Sequence, residues 1–304
     1  MLRRNMLIIA LPLSILIACE QGTQPPTAPQ GMVASGGDRC PTLAFNIDVK
    51  FVSLLRGDYR LAVLRAADRW ENVVIRDKLA VDFANNPYSR YNDHLKRHVV
   101  VNEWVDDMLI VVGARPLETF IASARVALSG SRDGLPVVST IVLDQDDLDQ
   151  YTPDQVERTI LHEIGHCLGI GSNRFQSANF VKGTSIDPYF TGINAQVFFH
   201  MLLRWSYSID RSVPIETDKG HWRTSVIGDE LMTGRWHPPY RRPLSLITIG
   251  ALEDLGHGVN YDAAEHYDRP SSTSAKPTEI ALTWECGFTP TPARTVAADG
   301  QVLP

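Results

Sequence analysis

Residues 161–172 read LHEIGHCLGIGS, placing His162 and His166 four positions apart with Glu163 beside the first. On a helix, side chains four apart project from one face, one turn above the other. Two imidazoles so placed converge on a single tetrahedral ion, and zinc is the ion this spacing suits. Glu163 is then placed to accept a proton from a zinc-bound water, whose pKa the metal lowers toward about 7. The same ion polarises a carbonyl, so the chemistry implied is hydrolysis. A catalytic zinc site holds three protein ligands and one open position. Three residues after Gly169, where a third ligand is expected, stands Ser172, outside the usual ligand set. His200, His221, His237, His257 and His266 lie downstream as candidates. His200 falls in an apolar helical run and reads as packed, and His257 and His266 follow a helix end, where capping or solvation is the default.

The element carrying this pair is well signed. Thr152 supplies an N-cap, Pro153 suits the first helical position and Gln155 completes a capping box, so a helix should run from Pro153 to about Leu168 and stop at Gly169. Ile160, Ile164 and Leu168 form its opposite apolar face, and Cys167 reads as a small buried hydrophobe. Upstream, Phe45–Leu54 is β-prone, and Asp58–Val74 spaces Leu61, Leu64, Ala67, Trp70 and Val74 as one apolar helix face. Strands are expected at Met108–Val112, Ala124–Leu128 and Val137–Leu143, separated by Gly and Pro. Beyond the motif, Phe190–Leu203 and Pro243–Leu255 read as helices, with mostly irregular chain from Arg204 to His237.

The N-terminal stretch has two arginines before an apolar run from Met6 to Ala18, the layout of a secretory signal and too short to span a membrane. Leu16-Ile17-Ala18-Cys19 resembles the lipobox of bacterial lipoproteins, which implies a signal peptide over 1–18 and a diacylglyceryl anchor on Cys19. Residues 19–39 form a Pro-, Gly- and Gln-rich tether, and 40–304 the folded domain, with lobes of about 40–170 and 171–304. A net charge of -6 without a basic cluster argues against a nucleic-acid partner. Cys40 and Cys286 flank the domain and are expected to form a disulfide in an oxidising compartment. The acidic run from Asp144 to Asp149 lacks EF-hand spacing and reads as a solvated loop.

Taken together, LHEIGHCLGIG, a long insertion, Gly220-His-Trp, ELMTG around Met232 and PLSLITIGALEDLG resemble the leishmanolysin family of zinc endopeptidases. The wider metzincin group places a third histidine soon after the glycine and a Met-turn under the metal. Leishmanolysins carry an insertion between the glycine and the third histidine, which accounts for Ser172. The resemblance implies zinc held by His162, His166 and His221, Glu163 as general base and Met232 as the Met-turn methionine. It also implies an α+β metzincin fold with a mixed twisted sheet, an active-site helix and a mostly irregular and helical C-terminal lobe. Protein or peptide substrates would pair as an extended strand with the sheet edge, taken to be Val137–Leu143, and residues around Trp236–Tyr240 would wall the pockets. The chain departs from leishmanolysin in its few cysteines and in ending soon after Cys286, so disulfides and activation are not carried over. The expected place is the bacterial cell envelope, lipid-anchored at the outer membrane or cell surface. A non-catalytic zinc-binding surface lipoprotein is the alternative from another class.

Overall fold

In the computed structural model of the protein, residues 44–118, 120–177, 180–203, 212–236, 241–268, 284–285 and 294–303 are described. Cys19, Cys40, Cys286, His237 and Tyr240 lie outside them, as do the signal and tether. Strand β1 (Ile47–Phe51) leads into helix α1 (Gly57–Glu71), followed by short strands β2 (Val81–Asp82), β3 (Tyr88–Asn92), β4 (Arg97–Val101) and β5 (Trp104–Val105). Three longer strands, β6 (Met108–Arg115), β7 (Ala122–Gly130) and β8 (Pro136–Asp144), precede helix α2 (Pro153–Cys167). Then come α3 (Asn173–Ser177), β9 (Val181–Gly183), β10 (Pro188–Phe190), α4 (Ile193–Leu203), β11 (Val213–Pro214) and α5 (Thr224–Ile227). The last elements are β12 (Arg235–Trp236), α6 (Leu246–Asp254), β13 (Trp284–Glu285) and β14 (Arg294–Val296). This is the α+β class that the sequence implies.

The main sheet has the order β1-β6-β8-β7-β14. β1, β6 and β8 run parallel, β7 lies antiparallel to β8, and β14 runs parallel to β7. β8 is therefore an interior strand, and all nine of its residues are buried. That overturns the expectation that Val137–Leu143 is the edge open to a substrate. Its near-continuous run of Val and Ile fits a strand covered on both faces. β14 covers only Leu128–Gly130 of β7, so upstream of Leu128 the outer side of β7 pairs with no other described strand.

Side-chain alternation along the sheet builds two cores. Met108, Ile110, Val112, Ile141 and Leu143 face the helices, whereas Leu109, Val111, Val138 and Val142 face the β2–β5 segment. On the helical side, α1 buries Tyr59, Ala62, Val63, Ala66, Ala67 and Trp70. Leu61 and Leu64, expected on that face, are instead 46% and 43% exposed. The alanines explain the difference, because small side chains let α1 lie close against α2. Trp70 then reaches across, its Nε1–H donating to the Leu161 carbonyl at 2.8 Å. On the other side, the β3–β4 hairpin was not expected from its polar sequence. Its loop inserts His94, which is buried between Thr140 Oγ1 at 2.8 Å and Ser123 Oγ at 3.1 Å. Burial, reinforced by the positive Arg125 and Arg115, pushes this imidazole down to about 3.

The acidic loop after β8 is also more than a solvated turn. Asp144 is buried and its carboxylate accepts the Asp146 N–H at 2.9 Å, while exposed Asp149 pairs with Arg56 and Tyr59 at the start of α1. Among the described residues no helix is long and apolar enough to cross a membrane.

Candidate metal centre

Helix α2 begins as its sequence dictates, with Thr152 Oγ1 accepting from Gln155 N and the Gln155 side chain accepting from Thr152 N. Its end matters more for the site. Leu168 is the C-cap, and Gly169 has φ 116°, a conformation that a Cβ would strain. Gly169 N donates to His166 O at 3.0 Å and Ile170 N to Gly165 O at 3.2 Å, the paired bonds of a Schellman motif. The reversal turns the Ile170 carbonyl back onto His166, whose Nδ1–H reaches it at 2.9 Å. Ser172 follows, just before α3, its Oγ accepting from Phe175 N at 3.4 Å. It takes no part in the cluster.

His221 arrives on a short closed segment. Ile215 and Trp222 form an isolated bridge, and Glu216 N donates to the His221 carbonyl at 2.8 Å. Trp222 N donates to Met232 O at 3.0 Å, which ties this segment to the turn beneath α2. Asp218 Oδ2 accepts from His221 Nδ1 at 2.7 Å. Gly234 allows the close fit, since a Cβ there would lie 3.1 Å from the His221 ring.

The turn itself is organised by Glu230. This buried carboxylate accepts from Met232 N at 2.6 Å, Ser245 N at 3.2 Å, Ser245 Oγ at 2.8 Å and Thr248 Oγ1 at 2.6 Å. Burial pushes its pKa up, and those hydrogen bonds act against the rise. Ser245 is also the N-cap of α6, so the turn and that helix share one anchor. Met232 is fully buried under α2, and a Cβ at Gly165 would meet its Sδ at 2.6 Å. The glycine of HEIGH is therefore the gap into which this methionine packs.

Three imidazoles meet above it. His166 Nε2 lies 3.0 Å from His162 Nε2 and 3.2 Å from His221 Nε2, and all three rings are buried. Each Nδ1 faces an oxygen acceptor: Leu231 O at 2.6 Å for His162, Ile170 O for His166 and Asp218 for His221. With the hydrogen on each Nδ1, given to that oxygen, the three Nε2 lone pairs face one another, an arrangement a cation relieves. Ligands about 2.0–2.1 Å from a tetrahedral zinc stand about 3.3 Å apart, close to the separations present. Burial holds His162 well below the ordinary histidine range, helped by Arg242 and the other two rings. His166 is pushed down to about 3, mainly by burial. Both are thereby kept neutral, the form that binds metal.

Of the downstream histidines, only His221 joins the pair among the described residues. His257 binds the Leu168 carbonyl through Nε2 at 2.8 Å, exposed His266 pairs with Asp268, and His200 lies on α4. Residues 88–188 match the leishmanolysin family of peptidases. The match takes in His162, Glu163 and His166 and stops before His221 and Met232. His221 is thus brought to the pair by the fold, outside the matched stretch. No curated protein matches the chain. Leishmanolysin-type peptidases are zinc-dependent hydrolases, and the three-histidine cluster here has the donors such an ion takes. Sequence reading missed the groups behind the imidazoles: Asp218, the Leu231 and Ile170 carbonyls, and Arg242, whose Nη2 lies 2.7 Å from His162 Nδ1. Asp218 alone left a signal, as a carboxylate three residues before a candidate ligand.

Proposed function

We propose that the protein is a zinc-dependent endopeptidase, with His162, His166 and His221 as the metal ligands, Glu163 as the general base and Met232 as the packing floor of the site. The observation that carries this reading is the convergence of three Nε2 atoms, those of His162 and His221 lying 3.0 and 3.2 Å from that of His166, with an oxygen acceptor beside every Nδ1. Zinc, when bound there, supplies a Lewis acid that acidifies the attacking water and polarises the scissile carbonyl.

Glu163 follows His162 on the same buried helix and takes a proton from the attacking water at its carboxylate, then delivers it to the departing amine nitrogen. His162 and His166, kept neutral by burial, do not compete for that proton. An extended substrate strand would add to the outer side of β7 over residues 122–127, since β8 is enclosed. Main-chain pairing of this kind tolerates many sequences. The N-terminal residues support a bacterial envelope lipoprotein anchored through Cys19, with protein or peptide substrates met at the membrane.

Incubating the full chain with a diverse peptide library, beside Glu163→Gln and His221→Ala variants, tests the reading. Expected is cleavage by the parent alone, zinc retained at one per chain in Glu163→Gln and weakened in His221→Ala. Stoichiometric zinc without cleavage by the parent would sink the peptidase in favour of a binding module. Undiminished zinc in His221→Ala would remove that residue from the ligand set.

A further inference from the structure

We propose that Arg242 is a positioning residue of the metal centre, clamping the Met232 turn so that the Leu231 carbonyl holds the ring of His162 in its ligating orientation. The inference rests on the reading of His162, His166 and His221 as zinc ligands.

Arg242 is only 6% exposed although it carries a permanent charge. Its Nη2 lies 3.0 Å from Leu231 O and 3.0 Å from Thr233 O, the two carbonyls that flank Met232. The same nitrogen lies 2.7 Å from His162 Nδ1. Nη2 has two hydrogens for these three neighbours, and both can be given to the two carbonyls. His162 Nδ1–H is then free to donate to Leu231 O at 2.6 Å, leaving Nε2 as the lone-pair nitrogen. One carbonyl thus receives the arginine and the histidine side by side, and the guanidinium fixes where that carbonyl points.

The backbone at Arg242 is arranged to deliver this side chain inward. Its φ is 50°, in the left-handed region, and the next residue is Pro243, before which a residue is ordinarily extended. Asp229 holds the conformation, one carboxylate oxygen accepting from Arg241 N and the other from Arg242 N, both at 2.8 Å. Leu231 N closes the loop by donating to Pro243 O at 2.9 Å. A strained turn, a carboxylate that props it and a buried guanidinium aimed at a ligand's outer nitrogen form one device. Partners of this kind, lying behind a ligating histidine, typically change metal affinity by about 10–100-fold when removed.

The test is zinc affinity of the full chain, by competition with a chromophoric chelator, together with the visible spectrum of the cobalt-substituted protein. Arg242→Met keeps bulk and removes the donors, Arg242→Lys keeps the charge without the planar fork, and Asp229→Ala releases the turn while leaving Arg242 in place. Expected are zinc binding about 10–100-fold weaker and shifted cobalt bands in Arg242→Met, and a smaller loss in Arg242→Lys. Asp229→Ala should move in the same direction, and it decides the matter if Arg242→Met does not fold. Folded variants with parental affinity and parental cobalt bands would overturn the role of Arg242 while leaving the metal centre standing. A parent chain that binds no zinc would overturn both.

Discussion

Replacing Gly165 with alanine sets two effects of known size against each other. Alanine is the better helix former by about 0.8–1.0 kcal/mol, so on propensity alone Gly165→Ala stabilises α2. The added Cβ, however, would stand 2.6 Å from Met232 Sδ, 3.1 Å from Met232 Cε and 3.3 Å from Trp70 Cζ2. Trp70 is held by its bond to Leu161 O, and Met232 by the hydrogen bond from its main-chain N–H to Glu230, so neither yields freely. Overpacking of a filled core costs about 1–3 kcal/mol, which set against the propensity gain leaves a net loss of up to about 2 kcal/mol. The clean assay is a double-mutant cycle by urea denaturation with Met232→Ala as the second change. Met232→Ala alone should cost about 2–5 kcal/mol through the cavity it leaves. In the double variant the clash is gone, so alanine at 165 should be neutral or favourable, giving a coupling of about 2 kcal/mol. Additive effects, or a stabilised single Gly165→Ala, would refute the claim that this glycine exists to seat the methionine.

Two further outcomes follow from other parts of the molecule. The folded state keeps His94 neutral down to about pH 3, whereas the unfolded chain takes up its proton near 6.5. Acid therefore favours the unfolded state over this window, and stability should fall from His94 alone by about 1.4 kcal/mol per pH unit below 6.5. Urea denaturation at pH 7 and pH 5 should show His94→Gln losing about 2 kcal/mol less than the parent between the two, and equal losses would count against the assignment. For the proposed anchor, Cys19→Ser should move the protein from the membrane fraction to the soluble fraction and abolish labelling by a radioactive fatty acid. Unchanged fractionation and labelling would exclude the lipobox.

What the sequence made legible was local. The capping box at Thr152 and Gln155 and the break at Gly169 are written within a few residues, and α2 runs from Pro153 to Cys167, within one residue of the expected span. The long apolar strands were found as well, and their limits differ by a few residues because strand ends depend on partners. β8 was placed correctly along the chain and wrongly in the sheet, although its apolar run, broken only by Ser139 and Thr140, already signalled an interior strand. The face of α1 was misjudged because leucines were weighted above alanines, whereas close helix contact selects small side chains. His221 came from the family resemblance, since the spacing alone left five histidines open. Arg242 lies 80 residues from His162, and no local pattern ties the two together. Such a contact becomes visible only when the chain has folded.

The bridge between Ile215 and Trp222 separates the length of the insertion from the placement of the third imidazole. His221 is set by the segment's own closure and by the bond from Trp222 N to Met232 O, and the segment is tied to β10 by Ile215 N donating to Pro188 O at 3.2 Å. A chain that loops out and returns through a fixed gate pays little for extra length, about 0.6 kcal/mol for each doubling. Within the insertion, the exposed turn at Ser185 and Ile186 between β9 and β10 is therefore the place where residues can be added while the coordination geometry stays constant. For protein engineering, that makes it a graft point for a recognition module that carries no part of the metal centre.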